Sequence, residues 1–368
     1  MIDILRDLIA IDSVNPSLVP GGAGEAEIAR YLAAKLRAMR VDAVIEEAAP
    51  GRANVVAVLE GKTRGPSLML CGHSDTVGVE GMSAPFDPVE RDGRMYGRGS
   101  QDMKGGVAAI LGAVRKLADE GLHRGSVIVA IVADEEYASI GAEALVKEWS
   151  ADAAIVTEST DLAIGIGHKG FEWVEVTTEG VAAHGSRPED GVDAIAHMGR
   201  VLARFERLDR SFAAHPHPLL GRPSLHASLI SGGRELSTYP DRCTLHVERR
   251  TVEGEAAGVL GSETESLLDE LRAEDPKFRA TSKFLFTRSP YVTPRDHALP
   301  RILGEIVHTE SRAMSFWTDA AILGAAGIPS IVFGPGGAGL HGIDEYVRID
   351  EVVACSDALV KVVRRFCE

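Results

Sequence analysis

Five short segments hold the side chains of this chain best suited to bind a cation or move a proton. The first is GHSDTV, in which His73 and Asp75 follow the apolar run SLMLC. Residues two apart on an extended backbone face the same way. A metal-ligating histidine usually donates its second N–H to a carboxylate that fixes its tautomer. His-x-Asp therefore suits a ligand and its support, although it also fits a surface loop. The second segment is GRGSQDMKGG, where Asp102 sits in a glycine-rich turn ahead of a helix. It could cap that helix or bridge two cations with its two oxygens. The third, VIVAIVADEE, runs from a very apolar strand into Asp134, Glu135 and Glu136. Three adjacent carboxylates repel one another. Either a cation relieves them, or they sit in solvent at a helix start, where acidic residues are favoured. With a cation, one glutamate ligates and its neighbour acts as base and then acid. Glu158 in AAIVTES and His341 in GPGGAGLHGIDEYV complete the set.

Each signal is weak alone. Their shared property is position: each falls at the carboxyl end of an apolar strand or in the loop after it, where open α/β sheets place ligands. Two histidines with several carboxylates make a reasonable divalent-metal site. A hydrolytic two-metal site also needs a base and an open position, and this set supplies both. Lys104 beside glycines suggests a phosphate loop, but the chain lacks the P-loop and dinucleotide-binding spacings there, which argues against a nucleotide site.

The elements that must position these residues alternate. GEAEIARYLAAKLRAMR has apolar positions at helical spacing, and NVVAVLEG, SLMLCGH, SVIVAIV and AAIV read as buried strands. KGGVAAILGAVRKLADEG reads as a helix ending at Gly121. This pattern predicts an α/β layer on a mixed central sheet. After His168 the pattern changes. FEWVEVTTEG, SLHASLIS, CTLHVERRT and FRATSKFLFT alternate with period two, and helices over GVDAIAHMGRVLARFERL and GEAAGVLGSETESLLDELRAE separate them. The order β-α-β-β-α-β is the ferredoxin-like unit. Beyond Pro290 the α/β pattern resumes, with helices near 298–309, 319–326 and 349–366 and the strand PSIVFGPG. The expected organisation is an outer domain of residues 1–168 and 290–368, interrupted by an inserted domain of 169–289.

The chain has 368 residues and a formal net charge of −15. At roughly 100–200 residues per domain, two domains are expected. The acidic balance argues against nucleic acid, whose phosphates call for a basic surface. Cys71, Cys243, Cys355 and Cys367 are scattered, without a CxxC pair. That points away from a cysteine zinc site or a disulfide scaffold and towards a reducing compartment. The N-terminus carries early acidic residues and no long apolar run, so neither a secretory signal nor a membrane span is expected. The expectation is a cytoplasmic protein.

Taken in order, GHSDTV, GRGSQDMKGG, ADEEYASIGA, TES and GPGGAGLHGIDEYV closely resemble the motifs of the M20 metallopeptidase and deacylase family. This is the group containing acetylornithine deacetylase, succinyl-diaminopimelate desuccinylase, aminoacylase-1 and glutamate carboxypeptidase. The resemblance spans nearly the whole chain. It implies two divalent metal ions, zinc first, with cobalt or manganese as alternatives. By position it implies that His73 and Glu158 hold one ion, Glu136 and His341 the other, and that Asp102 bridges. Asp75 would orient His73, and Glu135 would be the base. The resemblance also implies that the inserted unit is a lid and mediates a homodimer. Within it, GVAAHGSRPEDG matches the segment that supplies a histidine, His184 here, to the partner subunit. ERRTVEGE places the substrate-carboxylate arginine at Arg250, whose planar fork suits a carboxylate. Strand alternation turns Arg249 the other way. Three positions depart from the family pattern: Ser237 stands where many relatives have Asn, Glu248 replaces Asp, and Glu253 replaces Pro. The implied activity is hydrolysis of an N-acyl-amino acid to a free amino acid and a carboxylic acid. A dipeptidase or carboxypeptidase on the same site is the near alternative, and a metal- or small-molecule-binding protein without catalysis the more distant one.

Overall fold

The computed structural model describes residues 1–367. The chain forms two compact units. One comprises residues 1–167, 293–314 and 318–368, the other residues 168–292 and 315–317.

A mixed sheet runs through the first unit. Its strands lie in the order Asp42–Ala49, Arg52–Glu60, Arg124–Val132, Thr63–His73, Ala153–Val156, Ser330–Val332 and Ile164–His168. The middle strands are parallel: Thr63–His73 pairs with both Arg124–Val132 and Ala153–Val156, which in turn pairs with Ser330–Val332. These strands are buried along most of their length, as continuous runs such as SVIVAIV require. Helix Gly105–Glu120 packs against helix Ile349–Cys367, and their apolar faces join one large core with Leu5, Leu8, Leu32, Val129 and Ile155. Helix Gly105–Glu120 stops where the sequence predicts, at Gly121, whose φ of +82° favours glycine. A smaller sheet in this unit pairs Arg94–Tyr96 with Tyr346–Arg348, antiparallel, Tyr96 opposite Tyr346. Among the described residues, no helix is long and apolar enough to cross a membrane.

Two glycines allow the close approaches that set the site loops. A Cβ at Gly106 would collide with the Thr157 carbonyl, and one at Gly334 with the carbonyls of Thr157 and Glu158. The segment bearing Glu158 is thus wedged between a helix and the loop after a strand.

The second unit has four antiparallel strands in the order Ser224–Gly232, Arg242–Thr251, Gly170–Glu179 and Arg279–Arg288. In chain order that is second, third, first, fourth, the ferredoxin-like arrangement. Helices Ala194–Ser211 and Val259–Glu274 contribute Met198, Val201, Leu268 and Leu271 to a core with Val174, Val176, Leu245 and Val247. The second helix starts at Val259, several residues later than its sequence pattern suggests. Gly258 adopts φ +78°, and the distant Glu172 carboxylate accepts the N–H groups of Gly258 and Leu260 at 2.6 and 2.8 Å.

Arg249 and Arg250 do face opposite ways. Arg249 is buried, paired with Glu255 at 2.7 Å and Glu263 at 2.9 Å, its guanidinium over the Phe212 ring. Arg250 is half-buried on the other face. Arg249→Ala should strand two carboxylates and destabilise this unit by about 3 kcal/mol. Urea unfolding checks it, and a midpoint unchanged from the wild type would show the pair to be dispensable.

Candidate active site

Three strand ends and two loops deliver the acidic and imidazole groups. His73 ends strand Thr63–His73, Glu135 and Glu136 follow Arg124–Val132, and Glu158 follows Ala153–Val156. Asp102 departs from the expectation. It comes off the small side sheet, after Arg94–Tyr96, and not off the central one. It also does not cap helix Gly105–Glu120, which has no side-chain cap. His341 lies on the turn ahead of Tyr346–Arg348, with φ +57°.

Asp102 is the centre of the arrangement. Its Oδ1 lies 3.1 Å from His73 Nε2 and its Oδ2 lies 3.4 Å from His341 Nε2. Glu158 Oε1 is 3.6 Å from His73 Nε2, and Glu136 Oε2 is 3.2 Å from His341 Nε2. The candidate ligand atoms therefore form two groups, His73–Asp102–Glu158 and Asp102–Glu136–His341, each within 4.8 Å and sharing Asp102. Glu135 Oε2 stands 4.0 Å from His73 Nε2.

Asp75 supports three members at once. Its carbonyl lies 3.0 Å and its Oδ1 3.5 Å from His73 Nδ1. Its carboxylate also accepts the backbone N–H of Glu135 at 3.1 Å and of Glu136 at 3.2 Å.

Charge crowding has visible effects. Burial, then Glu158, pushes the Glu135 carboxyl well above its ordinary range. Burial, with Asp102 and Glu136 nearby, does the same to Glu158, and burial with Asp102 raises Glu136 to about 7. Burial alone would lower His73, but Glu158, Asp102 and Asp75 hold it well above its usual value. Asp102, then Glu136, raise His341 to about 10. Burial would raise Asp102, but the two histidines bring it below the usual carboxylate range. Glu136 Oε1 is buried without a hydrogen-bond partner. A closely packed set of carboxylates and imidazoles, one oxygen of it unpartnered, fits divalent cations well.

Sequence reasoning missed the groups behind the site. Asp134, first of the three adjacent carboxylates, turns away with φ +68° and pairs with Arg52 at 2.7 Å. Arg52 also forks onto Glu25, with two contacts of 2.7 Å. Asn15 gives one N–H to Asp75 at 2.7 Å and the other to Asp134 at 3.0 Å. Asp319 is buried and adds negative charge facing Glu135 and Glu158. Lys104 is buried, donates to the Ile11 carbonyl at 2.9 Å, and is pushed down to about 7 by burial.

The second unit holds the remaining candidates. His184 is exposed, with Nδ1 2.8 Å from Ser186 Oγ, and it bridges to Thr238. The Ser237 carbonyl accepts the Gly185 N–H at 2.7 Å, so His184 and Ser237 lie together. Arg250 does not join them. It lies at the opposite end of strand Arg242–Thr251, roughly 25 Å along at 3.3 Å per residue. Its Nε contacts Glu248 at 2.5 Å, and its guanidinium lies over Phe171. Trp317 packs on Phe171 and His168 within this unit.

The sequence profile of peptidase family M20/M25/M40 matches residues 69–365. The chain belongs to this family. Among M20-family relatives, acetylornithine deacetylase of Myxococcus xanthus is 30% identical, over 99% of this chain and 96% of its own length. That of Vibrio vulnificus is 30% identical, over 100% and 98%. A Staphylococcus aureus tripeptidase has a similar fold, with TM-score 0.82 and 20% identity, covering 99% of this chain and 97% of that one. A dinuclear metal-binding M20 peptidase of Bacillus subtilis gives TM-score 0.71 and 17% identity, covering 98% and 96%.

The neighbouring carboxylates raise both imidazoles well above their ordinary range, so each carries a proton before a metal binds. A metal must displace them, so affinity should rise with pH by about tenfold per unit for each proton released. Calorimetry in buffers of different ionisation enthalpy counts those protons. Binding with no proton release at neutral pH would contradict the arrangement.

Proposed function

We propose that this M20-family chain is a two-metal amidohydrolase that cleaves N-acyl-amino acids to a free amino acid and a carboxylic acid. The observation that carries the reading is Asp102, whose two oxygens face two separate candidate ligand groups with Glu135 beside them. Residues His73, Asp102 and Glu158 would hold one ion, and Asp102, Glu136 and His341 the other. Nitrogen and oxygen ligands of this kind suit zinc, with cobalt and manganese as alternatives. The bound ions would polarise the amide carbonyl and make a water more acidic.

The chain's own groups do the rest. Asp75 keeps His73 oriented and fixes the backbone of Glu135 and Glu136. Glu135 accepts a proton from the attacking water at its carboxylate and returns it to the leaving amine nitrogen. Arg250 anchors the substrate carboxylate and so orients the scissile bond. His184 of the partner subunit donates to the developing oxyanion. The separation of Arg250 from His184 along one strand supports their serving different chains' sites. Ser237, next to His184, would be a substrate contact.

A homodimer through the inserted unit follows the same reasoning. Its strand Ser224–Gly232 pairs on one side only, and Leu229 and Ile230 there are 67% and 56% exposed. Such an edge invites pairing with a second copy. The deacylase reading is preferred over peptidase because full-length sequence similarity runs to acetylornithine deacetylases, whereas the peptidases are similar in fold.

Metal-loaded protein assayed on N-acetyl-, N-succinyl- and N-formyl-amino acids beside dipeptides decides between these readings. Acyl-amino acids should turn over; cleavage of dipeptides alone would sink the deacylase assignment. Glu135→Gln should lower kcat by about 10²–10⁴-fold with metal content unchanged, and near-normal turnover would remove Glu135 as base. Mixing His184→Ala and Glu135→Ala protomers should restore part of the activity, and its absence would count against a histidine working across the dimer.

A further inference from the structure

The side-sheet pair Arg94–Tyr96 and Tyr346–Arg348 sets Tyr96 opposite Tyr346. Because the strands are antiparallel, the chain leaving Tyr96 and the chain arriving at Tyr346 share one end of the ladder. The first leads to Asp102, and the second has just left His341. Gly97 N–H donates to the Glu345 carbonyl at 3.2 Å, which continues the pairing one step.

Beyond that point side chains take over. Glu345 is 1% exposed, and its carboxylate faces back along the segment that leads to Asp102. Oε2 accepts the Gly99 N–H at 2.9 Å, and Oε1 accepts those of Gln101 at 2.8 Å and Asp102 at 3.1 Å. Arg98 Nη1 meets Oε2 at 2.6 Å. The same guanidinium gives Nε to the Gly78 carbonyl at 3.0 Å and Nη2 to the Gly342 carbonyl at 3.1 Å. Gly342 directly follows His341, and its N–H closes a turn onto the Gly339 carbonyl at 2.8 Å.

We propose that Glu345 and Arg98 are a positioning pair that locks the Asp102 segment to the His341 turn, so that both metal ions depend on one buried carboxylate. This rests on the two-metal reading above and deepens it. An ionised carboxylate accepting three backbone N–H groups and a guanidinium fixes them more firmly than neutral acceptors would. Glutamine at 345 would turn an amide N–H₂ towards groups that are themselves donors. Lysine at 98 offers its donors from a single nitrogen and cannot reproduce the planar fork across three acceptors. Neither residue belongs to the two candidate ligand groups, and the pair acts through Asp102 and His341.

The test is calorimetric titration of chelator-treated apoprotein with zinc, alongside circular dichroism and thermal melting. Wild type should take up two ions per chain. Glu345→Gln should weaken both ions by about 10–100-fold, the usual effect of removing a supporting partner, with kcat lowered more than KM is raised. Leu359→Ala, a buried core change on the C-terminal helix, should lower the melting temperature without moving metal affinity. Wild-type affinity for both ions in Glu345→Gln, loss of one ion alone, or equal weakening in Leu359→Ala would each overturn the proposal. If Glu345→Gln fails to fold, Arg98→Lys takes its place with the same expectation and the same overturning results. A wild type that binds fewer than two ions would overturn the two-metal reading, and this pair's role with it.

Discussion

Crowded negative charge is the constraint on which the first unit's architecture turns. Asp75, Asp102, Glu135, Glu136 and Glu158 converge on the rings of His73 and His341. Two protonated rings cannot neutralise five carboxylates, and burial makes each surplus charge costly. The groups behind the site are paired among themselves and add little to that surplus. Arg52 bonds to both Glu25 and Asp134, Asn15 separates Asp134 from Asp75 with its two N–H groups, and Arg98 accompanies Glu345. What remains in front is a site short of positive charge, with Glu136 Oε1 unpartnered.

The two units solve different problems. In the first, continuous apolar strands stop together, so that the polar residues after them meet at one edge of the sheet. In the second, alternating strands bury one face beneath two helices and leave the other for Arg250 and the aromatic rings beside it. Burial of Arg249 next to a half-exposed Arg250 is the period of two made visible.

That difference explains how much could be read from sequence. Strand ends at His73, Glu135 and Glu158 were legible because apolar runs and the polar residues after them are local signals. The ferredoxin-like order was legible for the same reason. The start of helix Val259–Glu274 was not, because Glu172, from another strand, caps it. Nor was the outward turn of Asp134, which depends on Arg52, 82 residues earlier in the chain. Glu345 carried no signal of its own, since its partners are mostly backbone N–H groups that every sequence possesses.

The interrupted first unit also bears on how the protein is made. The apolar core of the second unit is drawn entirely from the contiguous residues 174–280, so it can close before the first unit's core does. The unit synthesised first must wait. Strand Ser330–Val332 has to enter beside Ala153–Val156, and helix Ile349–Cys367 has to cover Gly105–Glu120, before its core is complete. Until then, apolar surface from the opening third of the chain stays uncovered. The nascent protein is thus most prone to aggregate before translation ends, and a premature stop late in the message would remove His341, Glu345 and the closing helix together.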